Sequence, residues 1–182
     1  MTPAFPAGQD QPAARSAVLA LGSNLGDRRD ILQGCVDAIA GIPEVQVMAV
    51  SPVYETVPVG GPPQPDYLNA VILVRTTLSS RSLLDRLHEV EAAFDRVREV
   101  RWGPRTLDID IITVDDEVST DSELTLPHPR AHERAFVLAP WHDVDPGAVL
   151  PGHGAVAALL AATDQSGIRR ARGELMVPGG GV

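Results

Sequence analysis

The sequence predicts an α+β fold. Four short apolar runs of strand length alternate with two amphipathic helical stretches, in the order β-α-β-β-α-β. That order is the ferredoxin-like arrangement, an antiparallel sheet with both helices on one face, followed here by a C-terminal extension. At 182 residues, 44% of them hydrophobic, the chain suits one domain with a sizeable core and is short for two.

Each element has its own signal. AVLALG (17–22) is a short apolar strand ending in glycine. In DRRDILQGCVDAIAGI, Ile31, Leu32, Cys35, Val36 and Ile39 recur at helical spacing, and Gly41 and Pro43 stop the helix. VQVMAVS (45–51) is a second strand and PVYETVPVGGPPQPD (52–66) a long loop; YLNAVILVRT (67–76) is the third strand. SSRSLLDRLHEVEAAFDRVR (79–98) places Leu83, Leu84, Leu87, Val90, Phe94 and Val97 on one face, with Ser79 or Ser80 as cap. TLDIDIITV (106–114) is the fourth strand. LTLPHPRAHERAFVLAP and a helical GAVAALLAA (154–162) are left to cover the open sheet face. Residues 1–15 read as a disordered leader, 16–163 as the single domain and 164–182 as a flexible tail.

Composition removes several classes of function. No run approaches the length of a membrane span, and the N-terminus lacks the pattern of a secretory signal. One cysteine, Cys35, excludes an intramolecular disulfide framework and fits a cytoplasmic protein; it reads as a core residue. The net charge of −9 argues against nucleic-acid binding. All 15 basic residues are arginine, so a phosphate-binding lysine and a Schiff base are excluded. Nothing advertises a second apolar face, and a monomer is expected.

The stretch RWGPRTLDIDIITV (101–114) carries the chemistry. Residues two apart on a strand share a face, so Asp108 and Asp110 project together while Leu107, Ile109 and Ile111 line the other side. Two like charges need a cation between them, a shared proton, or arginine partners. Magnesium, which takes one or two carboxylates plus phosphates and water, fits the pair; simple ion pairing is the alternative. Arg96, Arg98, Arg101 and Arg105 precede it, and guanidinium groups fork onto phosphate oxygens. Trp102 either offers a π-face to a flat ligand or anchors its loop. Asn69, on the parity of Tyr67, either reads a heterocycle or bonds nearby backbone. Glu91 lies on the apolar side of its helix, either as a solvated border residue or reaching toward the arginines. His128 and His132 form only a weak metal signal, and GSNLGDR (22–28) matches no nucleotide-binding loop.

Taken in order, ALGSNLGD, the PVYET loop, QPDYLNAV, RWGPRTLDIDI and LPHPRAHERAFVLAP resemble the 6-hydroxymethyl-7,8-dihydropterin pyrophosphokinase family, over about residues 17–160. The resemblance implies a ferredoxin-like core, ATP and the pterin as substrates, two Mg²⁺ ions, and transfer of diphosphate to the pterin hydroxymethyl group with release of AMP. It implies that Asp108 and Asp110 hold both ions. It places Trp102 and Phe136 in a stack on the pterin, with Asn69, Tyr67 and the backbone of Thr56, Val57, Pro58 and Val59 around it. It assigns His88, Glu91, Arg98, Arg101, Ile111, Thr125, His128 and Arg134 to ATP, and Arg96 and Arg105 to mobile, catalytic positions over the phosphates. The family commonly has glycine where this chain has Asp95. Two rival readings are a non-catalytic ferredoxin-like module that binds a small ligand, and a kinase releasing ADP.

Overall fold

The computed structural model describes residues 12–94 and 106–179. Its centre is an antiparallel sheet built on three long strands: β1 (Arg15–Ser23), β4 (Tyr67–Thr76) and β5 (Asp108–Val114). β1 lies in the middle, paired with β4 on one side and β5 on the other. The far edge of β4 is shared by β2 (Val45–Val50) and β3 (Tyr54–Thr56), each pairing with a different half of it. β10 (Ile168–Arg170) pairs in turn with β3. Short ladders join β6 (Ser119–Thr120) to β7 (Thr125–Leu126) and β8 (Val149–Leu150) to β9 (Gly154–Ala155).

Alternation along the strands divides the molecule into two layers of packing. Leu19, Leu21, Ala70, Ile72, Val74, Ile109 and Ile111 face α1 (Arg28–Ala40) and α2 (Ser80–Ala93), whose Leu32, Val36, Leu83 and Leu87 complete the larger core. Asp27 caps α1, accepting from the Asp30 amide (3.2 Å), and Ser79 caps α2, accepting from the Ser82 amide (3.1 Å). Each cap stabilises its helix by about 1 kcal/mol. On the opposite face Val71 and Ile112 pack against α3 (Ala135–Val144) and α4 (Val156–Ala161) through Val137, Leu138, Trp141 and Val156. A bulge between Val18 and Leu19 changes the register against β5, so Ile111 and Val114 reach one core while Ile112 reaches the other.

Several sequence boundaries change. Arg15, assigned to the leader, opens β1 and forms ion pairs with Asp115 and Glu117. The loop over 52–66 contains β3, and the segment after Pro127 contains α3, a helix not expected there. α2 ends at Ala93, with Phe94 as its C-cap, and residues 95–98 lie outside the described residues. The tail expected to be loose from residue 164 supplies β10 and buries Leu175.

Candidate active site

Strand register builds the floor of the site. Gly22 sits opposite Asn69 on β4 and opposite Asp108 on β5; one step along, Ala20 sits between Val71 and Asp110. All six therefore belong to the face that α3 and α4 cover only in part. Asn69 and Asp108 are two strand spacings apart, about 10 Å, and Asp108 and Asp110 are about 7 Å apart along the strand. The central strand contributes almost no side chain between them. A Cβ at Gly22 would stand 2.9 Å from Asn69 Oδ1, so glycine is required there by close approach.

Above this floor is an open cavity of about 620 Å³. Its walls are Thr56, Val57, Pro58 and Val59 from β3 and the following loop, Tyr67 and Asn69 from β4, Arg134 and Phe136 at the start of α3, and the segment 164–168. Asn69 is buried and its Nδ2 donates to Thr56 Oγ1 (2.9 Å), which fixes the amide orientation and leaves the Oδ1 edge beside Gly22. The loop after β3 is tied from below. Asn24 Nδ2 donates to Gln64 Oε1 (2.9 Å) and Pro65 O (3.1 Å), and Arg28 Nη1 donates to Asp66 O (2.7 Å) and Glu55 Oε1 (3.3 Å). The GSNLGDR segment thus acts as a clamp on the cavity wall.

Arg134 acts on both Asp110 and Asp108 across the cavity, while Arg130, also at its wall, is paired with Glu133 (2.7 Å). Arg134 is partly buried, its Cζ 5.5 Å from the Phe136 ring centroid. Burial lowers its pKa, Asp110 opposes that shift, and Arg130 adds to it; a guanidinium stays charged regardless. His128 stands with Nε2 4.0 Å from Asp110 Oδ2. Burial first, then Arg134, push its pKa down to about 4 against the pull of Asp108. The imidazole is therefore neutral at physiological pH, and its Nδ1 accepts from the Arg130 amide (3.2 Å).

The structure brings Thr56, Val57, Pro58, Val59, Tyr67, Asn69, Asp108, Asp110, Arg134 and Phe136 around one cavity, with His128 against Asp110. Other anticipated residues stand elsewhere. His88 is exposed on α2. The Ile111 side chain is in the core behind the sheet, so only its backbone can face a ligand. Thr125 Oγ1 donates to Asp121 O (2.9 Å) on β7. Glu91 is 2% exposed and its Oε1 accepts from the Ile109 amide (2.8 Å), joining α2 to the aspartate-bearing strand. Arg96, Arg98, Arg101, Trp102 and Arg105 lie outside the described residues. Arg130 and Gln64 sit inside the LPHPRAHERAFVLAP and QPDYLNAV stretches but carry no assigned role there, and Ser166 falls in the segment expected to be loose; all three line the cavity.

The carboxylates also fit a metal. Both are partly exposed toward the cavity, and no group of three or more His, Cys, Asp or Glu side chains suited to a metal exists among the described residues. A pair of carboxylates matches a cation that draws its other oxygens from phosphate and water. With no described cysteine at the cavity and no lysine in the chain, the site is equipped for positioning and charge neutralisation more than for covalent catalysis.

Comparison with known proteins gives the class of enzyme to which this cavity belongs: a pyrophosphokinase, hence a diphosphotransferase. Residues 18–146 match the model of the 7,8-dihydro-6-hydroxymethylpterin-pyrophosphokinase (HPPK) family. Proteins named 2-amino-4-hydroxy-6-hydroxymethyldihydropteridine pyrophosphokinase are 43% identical in Methylorubrum extorquens, over 85% of this chain and 97% of the relative. The one from Pseudomonas aeruginosa is 41% identical over 85% and 96%, and that from Mycobacterium leprae 46% identical over 73% of each. The chain belongs to the HPPK family. Among solved structures, Plasmodium falciparum HPPK-DHPS with SDX-DHP shares the fold, with TM-score 0.66 and 15% identity. The match covers 85% of this chain and 45% of that one, so the chain spans under half the length of that protein.

Proposed function

We propose that this enzyme transfers the terminal diphosphate of ATP to the hydroxymethyl group of 6-hydroxymethyl-7,8-dihydropterin, releasing AMP, as a cytoplasmic monomer serving folate biosynthesis. The observation that carries the reading is the floor of the cavity: an oriented amide at Asn69 and paired carboxylates at Asp108 and Asp110, separated only by Gly22 and Ala20. Family membership and the named relatives support it. The β5-β1-β4-β2 strand order supports a ferredoxin-like core.

In this reading the pterin lies over Gly22, with its ring between Phe136 and Trp102 and its polar edge toward Asn69, Tyr67 and the backbone of Thr56–Val59. Asp108 and Asp110 would hold two Mg²⁺ ions, which when bound supply positive charge to the phosphate oxygens. The pterin hydroxyl oxygen bonds to the β-phosphorus, the bond from that phosphorus to the α–β bridging oxygen breaks so that the oxygen leaves on AMP, and the hydroxyl proton passes to solvent water. Charge grows on the bridging oxygen and the transferred group, so cations placed there are the main source of rate. Arg134 supplies one; by the resemblance Arg98 and Arg101 bind ATP, and Arg96 and Arg105 are the mobile residues that close over the phosphates. His128 is neutral, so it binds ATP as a hydrogen-bonding group. The resemblance also assigns His88, Glu91, Ile111 and Thr125 to ATP; none of the four lines the described cavity, and Glu91 is bonded to the Ile109 amide instead.

Incubation with ATP, Mg²⁺ and the pterin, followed by separation of nucleotides, tests this. AMP is expected. ADP would mean attack at the γ-phosphorus, and bound but unturned ATP would favour the non-catalytic module.

A further inference from the structure

The wall of the cavity formed by Thr56 and Val57 comes from the end of β3, a three-residue strand paired with β4 on one side that would be a short, open edge without a partner on the other. Here the C-terminal segment holds it, from residues that lie beyond the 18–146 family match. β10 pairs with β3 through Ile168–Thr56, Arg169–Glu55 and Arg170–Tyr54. Backbone bonds flank the ladder on both sides: the Val57 amide donates to Gly167 O (2.9 Å) and the Ala171 amide donates to Val53 O (2.8 Å). Arg169 adds a forked pair to Glu55 Oε2, from Nε (3.1 Å) and Nη2 (2.6 Å), and the same carboxylate reaches Arg28.

Beyond β10 the chain is fastened to α1. Arg29 donates to Arg172 O. The Met176 amide donates to Gln33 Oε1 (2.7 Å), Gln33 Nε2 returns a bond to Met176 O (3.1 Å), and Leu175 is buried between. A strand with one face toward the cavity is thus gripped along its outer edge and anchored on a helix at the back of the sheet.

We propose that the segment 164–177 is a positioning strap for the pterin side of the cavity, with Arg169, the Ala171 amide and Gln33 as its fastening points. The proposal rests on the functional reading above. By pinning Val53, Glu55 and Val57, the strap fixes the backbone of Thr56 and Val57 and the Thr56 hydroxyl that orients Asn69. Nucleotide-facing groups on β5 and α3 carry none of these bonds, so the strap acts on one substrate only.

The test measures equilibrium binding of the pterin and of ATP with Mg²⁺ separately, in the unaltered full chain and in three variants. Ala171→Pro deletes the amide that bonds Val53. Arg169→Ala removes the fork from Glu55, with Arg169→Lys as partial rescue. Gln33→Ala cuts the distant anchor. Pterin affinity is expected to fall about fivefold to tenfold in Ala171→Pro and about twofold to fivefold in the other two, with ATP affinity unchanged. Pterin affinity unchanged in folded Arg169→Ala and Gln33→Ala, or an equal loss for both substrates, overturns the strap. Failure of the unaltered protein to bind the pterin at all overturns the functional reading and the strap together.

Discussion

Gly22 illustrates how much of the site depends on what is absent. Its neighbours across the sheet are Asn69 and Asp108, and an added methyl would press within 2.9 Å of Asn69 Oδ1. Gly22→Ala is expected to raise KM for the pterin about tenfold, equivalent to about 1.4 kcal/mol, while ATP affinity holds; steady-state kinetics with each substrate varied checks it. Asp110→Asn keeps the shape and removes the charge, so kcat is expected to drop by about 10²–10³-fold with the melting temperature nearly unchanged. The aspartate pair was legible in the sequence because strand parity is local. Gly22 and Ala20 were not, because their importance lies in register between strands and they carry no polar atom to announce it.

Among the elements, the α2–β5 junction depends on one side chain. Glu91 reaches the Ile109 amide at 2.8 Å from a buried position, between the two aspartates in sequence. Glu91→Ala strands that amide and is expected to cost about 1–3 kcal/mol; thermal unfolding should show a loss of roughly 2–10 °C. Glu91→Gln, which keeps an acceptor, should lose much less. The long strands and both amphipathic helices were readable from their periods. β3 was hidden in a Pro- and Gly-rich stretch, and β10 has no pattern apart from its pairing with residues 114 positions earlier. α3 lacks a side-chain N-cap, contains Pro140 and is buried on most sides, so it shows no helical stripe to find.

For the molecule as a whole, the start of β1 is locked to the end of β5 by charge. Glu117 accepts from Ser80 Oγ (2.6 Å) and from Arg15, and these bonds hold its carboxyl below the usual value of 4.5. A depressed folded-state pKa stabilises above the unfolded value and is lost as pH falls through the folded one. Glu117→Gln should therefore lower the melting temperature at pH 7 by about 1–3 °C, and the gap should close progressively below pH 4.5. A gap that widens with acidity would rule out the Glu117 charge as its source.

The central claim is that the two floor carboxylates bring divalent cations and the phosphates of ATP to the pterin hydroxyl. Its most direct test counts Mn²⁺, standing in for Mg²⁺, by electron paramagnetic resonance in the presence of a non-hydrolysable ATP analogue. The account predicts two ions per chain in the unaltered protein and loss of tight binding in Asp108→Asn and Asp110→Asn. Equal stoichiometry and affinity in the variants would contradict it, and would return the paired aspartates to the role of arginine partners.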